Sequence, residues 1–184
     1  MESENKIYRE LKKRLTTDTY DHGQKLRAEV LREEFACSAS TVREILFRLA
    51  SEGLVHFQDQ RGFRMPELSP TKLIELTHMR ILLESEGAVL SIRQGGVGWE
   101  ASLTAAHHKL SHLEKRIHAR EDPTELVDLW FNSEKEFHQT LISACGSTTL
   151  KHMHSLIYAQ FRQQLMKADR RFDFISNNIQ QHSD

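Results

Sequence analysis

Apolar side chains recur at every third or fourth position along most of this chain, and the rhythm changes in one stretch near residue 60. Ile7, Leu11 and Leu15 lie four apart and predict a helix over residues 4 to 17. Thr17 to Gly23 interrupts it, ending in the turn-forming Asp21-His22-Gly23. A short helix carrying Leu31 and Phe35 follows from Ala28 to Phe35. Ser38 offers a side-chain oxygen to cap a third helix, which runs to Ser51. Its inward face is Val42, Ile45, Leu46 and Leu49, while Ser40, Thr41, Arg43 and Arg48 point elsewhere. Gly53 closes it. Val55-His56-Phe57 and Phe63-Arg64-Met65 then read as short strands around Gln58 to Gly62, where Gly62 permits the tight backbone of a hairpin tip. Helix, short helix, capped polar helix and hairpin, in that order, predict a winged helix-turn-helix over residues 1–66.

Beyond a linker from Pro66 to Pro70 the pattern is helical throughout, and residues 70–184 read as an all-helical antiparallel bundle. Ser69-Pro70 supplies a cap and a first-turn proline for a helix that reaches Gln94 and stops at Gly95-Gly96. A second helix, Trp99 to Arg120, has Leu103, Ala106, Leu110, Leu113 and Ile117 on one face. Asp122-Pro123-Thr124-Glu125 starts a third like a capping box, with Gly146 as its end. A fourth spans Thr148 to Ala168 and a fifth begins near Phe174.

Three of these helices place polar groups where apolar ones belong. Arg80 interrupts the stripe Leu73, Leu76, Leu83, Gly87, Leu90. Glu134 and His138 interrupt Val127, Phe131, Leu141, Cys145, and His182 shares a face with Ile175 and Ile179. An inward charge is unfavourable unless it is paired or liganded. Glu134 and His138, one turn apart, suit two ligands on one metal ion or a plain i,i+4 hydrogen bond. Arg80 suits a ligand carboxylate or an edge salt bridge. His108 and His112 face away from the leucine stripe and read as solvated, and His152 and His154, two apart, cannot share a helix face.

Composition adds little. The chain has 25 basic and 26 acidic residues, and through Pro66 the counts are 12 and 11, so neither half is basic like a nonspecific nucleic-acid binder. Two cysteines, Cys37 and Cys145, lack zinc-type spacing; with no signal peptide and no membrane-length apolar run, the expected compartment is the cytoplasm. The chemistry therefore rests on pattern. A paired second helix reads DNA by laying its N-terminal part in the major groove, where small hydroxyl residues allow close approach and helix-terminal amides attract phosphate. Ser38, Ser40, Thr41 and Arg43 meet that requirement, although taken alone they describe any solvated polar face.

The run KLRAEVLREEFACSASTVREILFRLASEGLVHFQDQRGFRM resembles the DNA-binding domain of the GntR family of bacterial repressors. The likeness falls on Leu26, Leu31, Ser38, Val42-Arg43-Glu44, Leu46, Glu52-Gly53-Leu54-Val55 and Arg61-Gly62. It implies a DNA contact set of Arg27, Ser38, Ser40, Thr41, Arg43, Arg61 and Gly62. Ala39 stands where the family's usual arginine follows the capping serine, and Glu29 where a basic residue is common, with Arg27 and Lys25 as compensating cations. Residues 70–184 resemble the sensor domain of the FadR-type branch, on Met79-Arg80, Leu83-Glu84, Glu134-Lys135-Glu136-Phe137-His138 and Gln181-His182. That likeness implies a divalent ion, zinc, on Glu134, His138 and His182, at the floor of a pocket for small organic acids in which Arg80 holds the carboxylate. Family members usually have aspartate at position 134 and asparagine at position 147, where this chain has Glu134 and Ser147. They also continue past the equivalent of Asp184 with a further helix bearing a fourth ligand, so the bundle reads as truncated.

Together these readings imply a ligand-responsive transcription regulator and not an enzyme: a homodimer on a near-palindromic duplex operator, tuned by a small carboxylate. Two other classes compete. A metal-dependent enzyme in the helical bundle leaves residues 24–65 unexplained, and an interaction module with a degenerate head is consistent with Ala39 and Glu29.

Overall fold

The structure is a computed structural model and describes residues 2–17, 19–118 and 124–168. The described chain is mainly helical, with one small sheet, and divides into two compact units.

The first unit holds the chain up to Thr77 together with the part of the last described helix that begins at Leu156. Helix α1 (Glu2–Leu15) buries Ile7, Leu11 and Leu15 on the face their spacing assigns. Strand β1 (Lys25–Leu26) precedes helices α2 (Ala28–Glu34) and α3 (Ala39–Ser51), and α3 turns Val42, Ile45, Leu46 and Leu49 inward. Strands β2 (His56–Gln58) and β3 (Gly62–Arg64) form the hairpin, and β3 lies between β1 and β2 in an antiparallel sheet that pairs Leu26 and Phe57 with Phe63. Both hairpin strands sit one residue off the pattern's placement: Val55 lies outside β2, and Met65 leaves the hairpin to donate its N–H to Gln24 O at 2.9 Å. β1 is too short to carry a period of its own.

Helix α4 (Pro70–Gln94) starts and stops where the serine-proline cap and the glycine pair place its ends. Helices α5 (Val97–His118), α6 (Thr124–Leu141) and α7 (Thr148–Ala168) follow. α6 ends well before Gly146: Ser143 turns back on Thr140 O with both its N–H and its hydroxyl, and the chain reaches α7 through Gly146 at φ +72°. The fifth helix expected from Phe174 lies outside the described residues.

The second unit runs from His78 to Ser155. Its core gathers Leu110, Leu113 and Ile117 of α5 with Leu126, Trp130 and Phe131 of α6, each fully buried side chain contributing about 1.5–3 kcal/mol. Trp99 Nε1 donates to Thr140 O at 2.9 Å, which ties the start of α5 to the end of α6. Gly87 lets α4 approach closely, because a Cβ there would come within 2.6 Å of Ile142.

Candidate functional site

Two surfaces carry the candidate chemistry, one in each unit. In the first, Ser38 adopts an extended backbone ahead of α3 and its Oγ accepts from Thr41 N at 3.1 Å, as a cap should. Ser40 Oγ and Thr41 Oγ1 lie 3.0 and 2.9 Å from the same oxygen, so three hydroxyls cluster at the helix start, with Ser38 and Ser40 open to solvent. Arg43, one turn into α3, is exposed and only loosely paired with Glu29 at 3.3 Å. Arg27 is exposed at the extended residue that precedes α2. Arg61 is exposed at the hairpin tip, beside Gly62 at φ +73°. A Cβ on Gly62 would meet nothing closer than 3.9 Å, so the backbone angle and not space favours glycine there. All seven expected contact residues therefore belong to the unit's α2–α3 pair or its hairpin.

Arg48, by contrast, is occupied with structure. Its guanidinium lies 3.8 Å from the centre of the Tyr8 ring. Behind α3, Phe47, Phe57 and Phe63 meet with ring centres 4.8–4.9 Å apart and join the helix to the hairpin.

The same unit contains a device that periodicity did not reveal. Gln160, Gln163 and Gln164 share one face of α7. Gln163 is 3% exposed, and its Nε2 donates to both Leu15 O and Leu54 O, at 3.0 and 2.9 Å. Gln160 Nε2 donates to Glu52 O at 3.0 Å, while Gln164 accepts from Ser69 N at 3.0 Å and donates to Glu67 O at 3.1 Å. These amides satisfy backbone groups at the end of α1, in the α3–β2 turn and in the linker. A polar residue on a helix gives no sequence signal for this role, because its partners are backbone atoms distant in the chain.

In the second unit the inward polar residues of α4 and α6 meet. Arg80 Nε donates to Glu84 Oε1 at 2.7 Å and Arg80 Nη2 to Glu134 Oε1 at 2.5 Å. His138 lies between the same carboxylates, with Nε2 3.2 Å from Glu134 Oε1 and Nδ1 3.0 Å from Glu84 Oε2. His154 of α7 completes the cluster, its Nε2 2.9 Å from Glu84 Oε1. Arg80, Glu134, His138 and His154 are all buried. Burial alone would push the Glu84 carboxyl up, but bonds with His138 and His154 and the Arg80 charge hold it well below the usual carboxylate range. Burial would push His138 down, and its bonds to Glu134 and Glu84 more than offset that and raise it.

Pairing His154 only with His152 overlooked it. The spacing Leu150, His154, Tyr158, Phe161, Leu165 places His154 on the inward stripe of α7, and it is 1% exposed whereas His152 is exposed. Glu84 was legible in part, one turn beyond Arg80. His108 and His112 are exposed, as their position off the leucine stripe requires. His182 lies outside the described residues. Carboxylate oxygen beside imidazole nitrogen on α6 is a donor pair that fits a divalent ion. Among the described residues no group of three or more His, Cys, Asp or Glu side chains is disposed to hold one, and the cation facing Glu84 and Glu134 is Arg80.

Comparison with known proteins places this geometry. Residues 3–65 match the model of bacterial regulatory proteins of the gntR family, and residues 75–184 match the FCD domain. The chain is 36% identical over 141 residues to the HTH-type transcriptional regulator BphR of Paraburkholderia xenovorans, covering 77% of this chain but only 57% of that protein. It is 31% identical over 168 residues to the HTH-type transcriptional repressor GlaR of Escherichia coli, covering 91% of this chain and 71% of that one. Among solved structures, Escherichia coli McbR/YncC superposes with a TM-score of 0.69 at 20% identity, over 91% of this chain and 75% of its own. A GntR regulator from a Rhodococcus strain does so with a TM-score of 0.72 at 18% identity, over 100% and 86%. At those identities the structures speak for the fold, and the two sequence relatives carry the names of HTH-type transcriptional regulators. A capped hydroxyl-rich α3, a glycine-turned wing and a helical second unit thus converge with the family matches: the chain belongs to the gntR family of bacterial regulatory proteins and carries an FCD domain behind its helix-turn-helix.

Proposed function

We propose that this chain is a transcription regulator that binds a duplex operator through α3 and the hairpin, and releases or retains it in response to a small carboxylate. The observation that carries the reading is the start of α3, where three clustered hydroxyls and the exposed Arg43 stand clear of the packed core. Backbone amides there suit phosphate and Arg43 suits a base edge or phosphate. In a gel shift with the DNA upstream of its own gene, Arg43→Ala should weaken binding by about 1–3 kcal/mol if the contact is to a base. Affinity should fall steeply with salt as counterions are released. Binding that ignores both the substitution and the salt would refute the assignment.

The operator is near-palindromic because the regulator acts as a homodimer. Ile81, Leu82, Val89 and Ile92 leave 57%, 61%, 43% and 67% of their surface exposed along α4, an apolar face that a twofold pairing with a second copy would cover. Sedimentation should show Ile81→Glu as a monomer with reduced operator affinity; a dimer unchanged by that charge would place the interface elsewhere.

Arg80 is the effector's anchor, since its planar fork gives a carboxylate two parallel charge-assisted bonds. Arg80→Lys keeps the cation that Glu84 and Glu134 require but loses the fork. It should bind operator normally and no longer respond to the effector. A divalent ion in this unit would be held by Glu134 and His138 together with His182, and mixed imidazole and carboxylate donors would favour zinc. Such an ion would supply Lewis acidity, and the protein's part would be to present Glu134 and His138 together from one turn of α6.

A further inference from the structure

The first unit contains a cavity of about 270 Å³ where the linker, the turn after α3 and α7 meet. Leu76, 2% exposed, gives it an apolar wall, and Ser69, Lys72, His56 and Gln163 add polar groups to the lining. Gln163 says most about what belongs there. Leu15 O and Leu54 O are both acceptors, so its amide nitrogen must face them and its Oε1 must point away. Among the described residues nothing donates a hydrogen bond to that oxygen, although the side chain is only 3% exposed. A buried carbonyl oxygen on a cavity wall calls for a donor.

We infer that this cavity is a small-molecule site, built from residues other than the Arg80 cluster. It takes a short carboxylate that carries a hydroxyl or ammonium donor on the neighbouring carbon. The donor goes to Gln163 Oε1 and the carboxylate to the start of α4. That helix is 25 residues long, and its first turn brings the positive end of the helix dipole to the cavity, where Ser69 and Lys72 line it. Ser69 Oγ already accepts from Lys72 N at 3.2 Å, which leaves its O–H to donate. Lys72 Nζ is exposed and has only a long contact of 3.5 Å with Glu75, so its charge is available to an anion. Glu67 also lines the cavity, its carboxylate beside Gly23, and gives an ammonium a second partner. The volume falls just below the roughly 300–1,000 Å³ of sites for drug-sized ligands, which limits the occupant to a short-chain acid. His56 opens β2 and Gln163 sits on α7, so the occupant joins the hairpin to α7 within one unit.

Calorimetric titration of the full chain with L-lactate, L-alanine and acetate tests this. Lactate or alanine should bind about tenfold tighter than acetate, the worth of one added hydrogen bond to a buried acceptor. Lys72→Gln, at an exposed position, should weaken the better ligand about tenfold by removing a charge-assisted bond. Gln163→Leu should bind that ligand no more tightly than acetate; if this variant fails to fold, Lys72→Gln still decides. Alanine binding more tightly than lactate supports the site with Glu67 as the ammonium's second partner, and the reverse order supports it with a hydroxyl on Gln163 alone. Arg80→Lys separates the two sites. Affinity lost in that variant and kept in Lys72→Gln places the acid at the Arg80 cluster, which overturns this inference and leaves the effector reading intact. Lactate and alanine binding no more tightly than acetate overturns it as well, and the cavity then holds water only.

Discussion

Glu52 ends α3 and is claimed from three directions. The Tyr8 hydroxyl donates to its Oε1 at 2.5 Å, Lys12 Nζ donates to its Oε2 at 2.6 Å, and Arg48 approaches to 3.7 Å while covering the Tyr8 ring. Through Glu52, the family-like run Glu52-Gly53-Leu54-Val55 therefore holds α1 to the end of α3. Burial and the Glu52 bond both push the Tyr8 phenol up. Burial pushes the Lys12 ammonium down, but its bonds to Glu52 and Tyr8 more than offset this and raise it. Both groups thus hold their protons more tightly in the folded chain than in the unfolded one. The stability they contribute is present in full below their ordinary values of 10.0 and 10.5 and is lost as pH rises through the raised ones. Glu52→Ala should cost about 1–3 kcal/mol in urea unfolding at neutral pH. It should also flatten the alkaline decline in stability, and an unchanged alkaline slope would show that the phenol and the ammonium titrate independently of Glu52.

At the scale of elements, α3 and α7 show what a sequence discloses and what it hides. Every buried residue of α3 falls on the predicted face, and the cap at Ser38 forms as expected, because both depend on neighbours within four residues. Ser38→Ala should cost roughly 0.5–2 kcal/mol of stability, read from thermal unfolding. On α7 the buried face includes Gln163 and Gln164, at 3% and 4% exposure, and only the tertiary fold gives their amides partners. Gln163→Leu preserves volume but leaves the buried carbonyls of Leu15 and Leu54 without their donor. It should cost about 1–3 kcal/mol per orphaned group at most, with operator contacts untouched. Hydrogen exchange near Thr16 and Val55 should quicken in that variant; exchange that does not change would mean water replaces the amide without loss. The candidate sensor site was half legible for the same reason. Arg80, Glu134 and His138 betray themselves by breaking apolar stripes on their own helices, whereas the convergence of Glu84 and His154 on them is set by packing between helices.

For the molecule as a whole, the described membership of the first unit matters more than its fold. It draws on both ends of the described chain: the helix-turn-helix and hairpin come from the first 65 residues, and the glutamines that satisfy their backbone come from residues 160–164. A fragment ending at Thr77 should therefore melt below the same head in the full chain, which calorimetry on both would show; equal melting would reduce the glutamine face to a passive contact. Time enters here as well. During synthesis the hairpin leaves the ribosome about a hundred residues before Gln164, a delay of roughly 5–20 s at ordinary elongation rates. Through that interval the carbonyls of Leu15 and Leu54 have only water for company. The backbone groups that the glutamines hold find those partners only on a chain whose α7 has already been made, so an interrupted translation product carries its helix-turn-helix without these bonds.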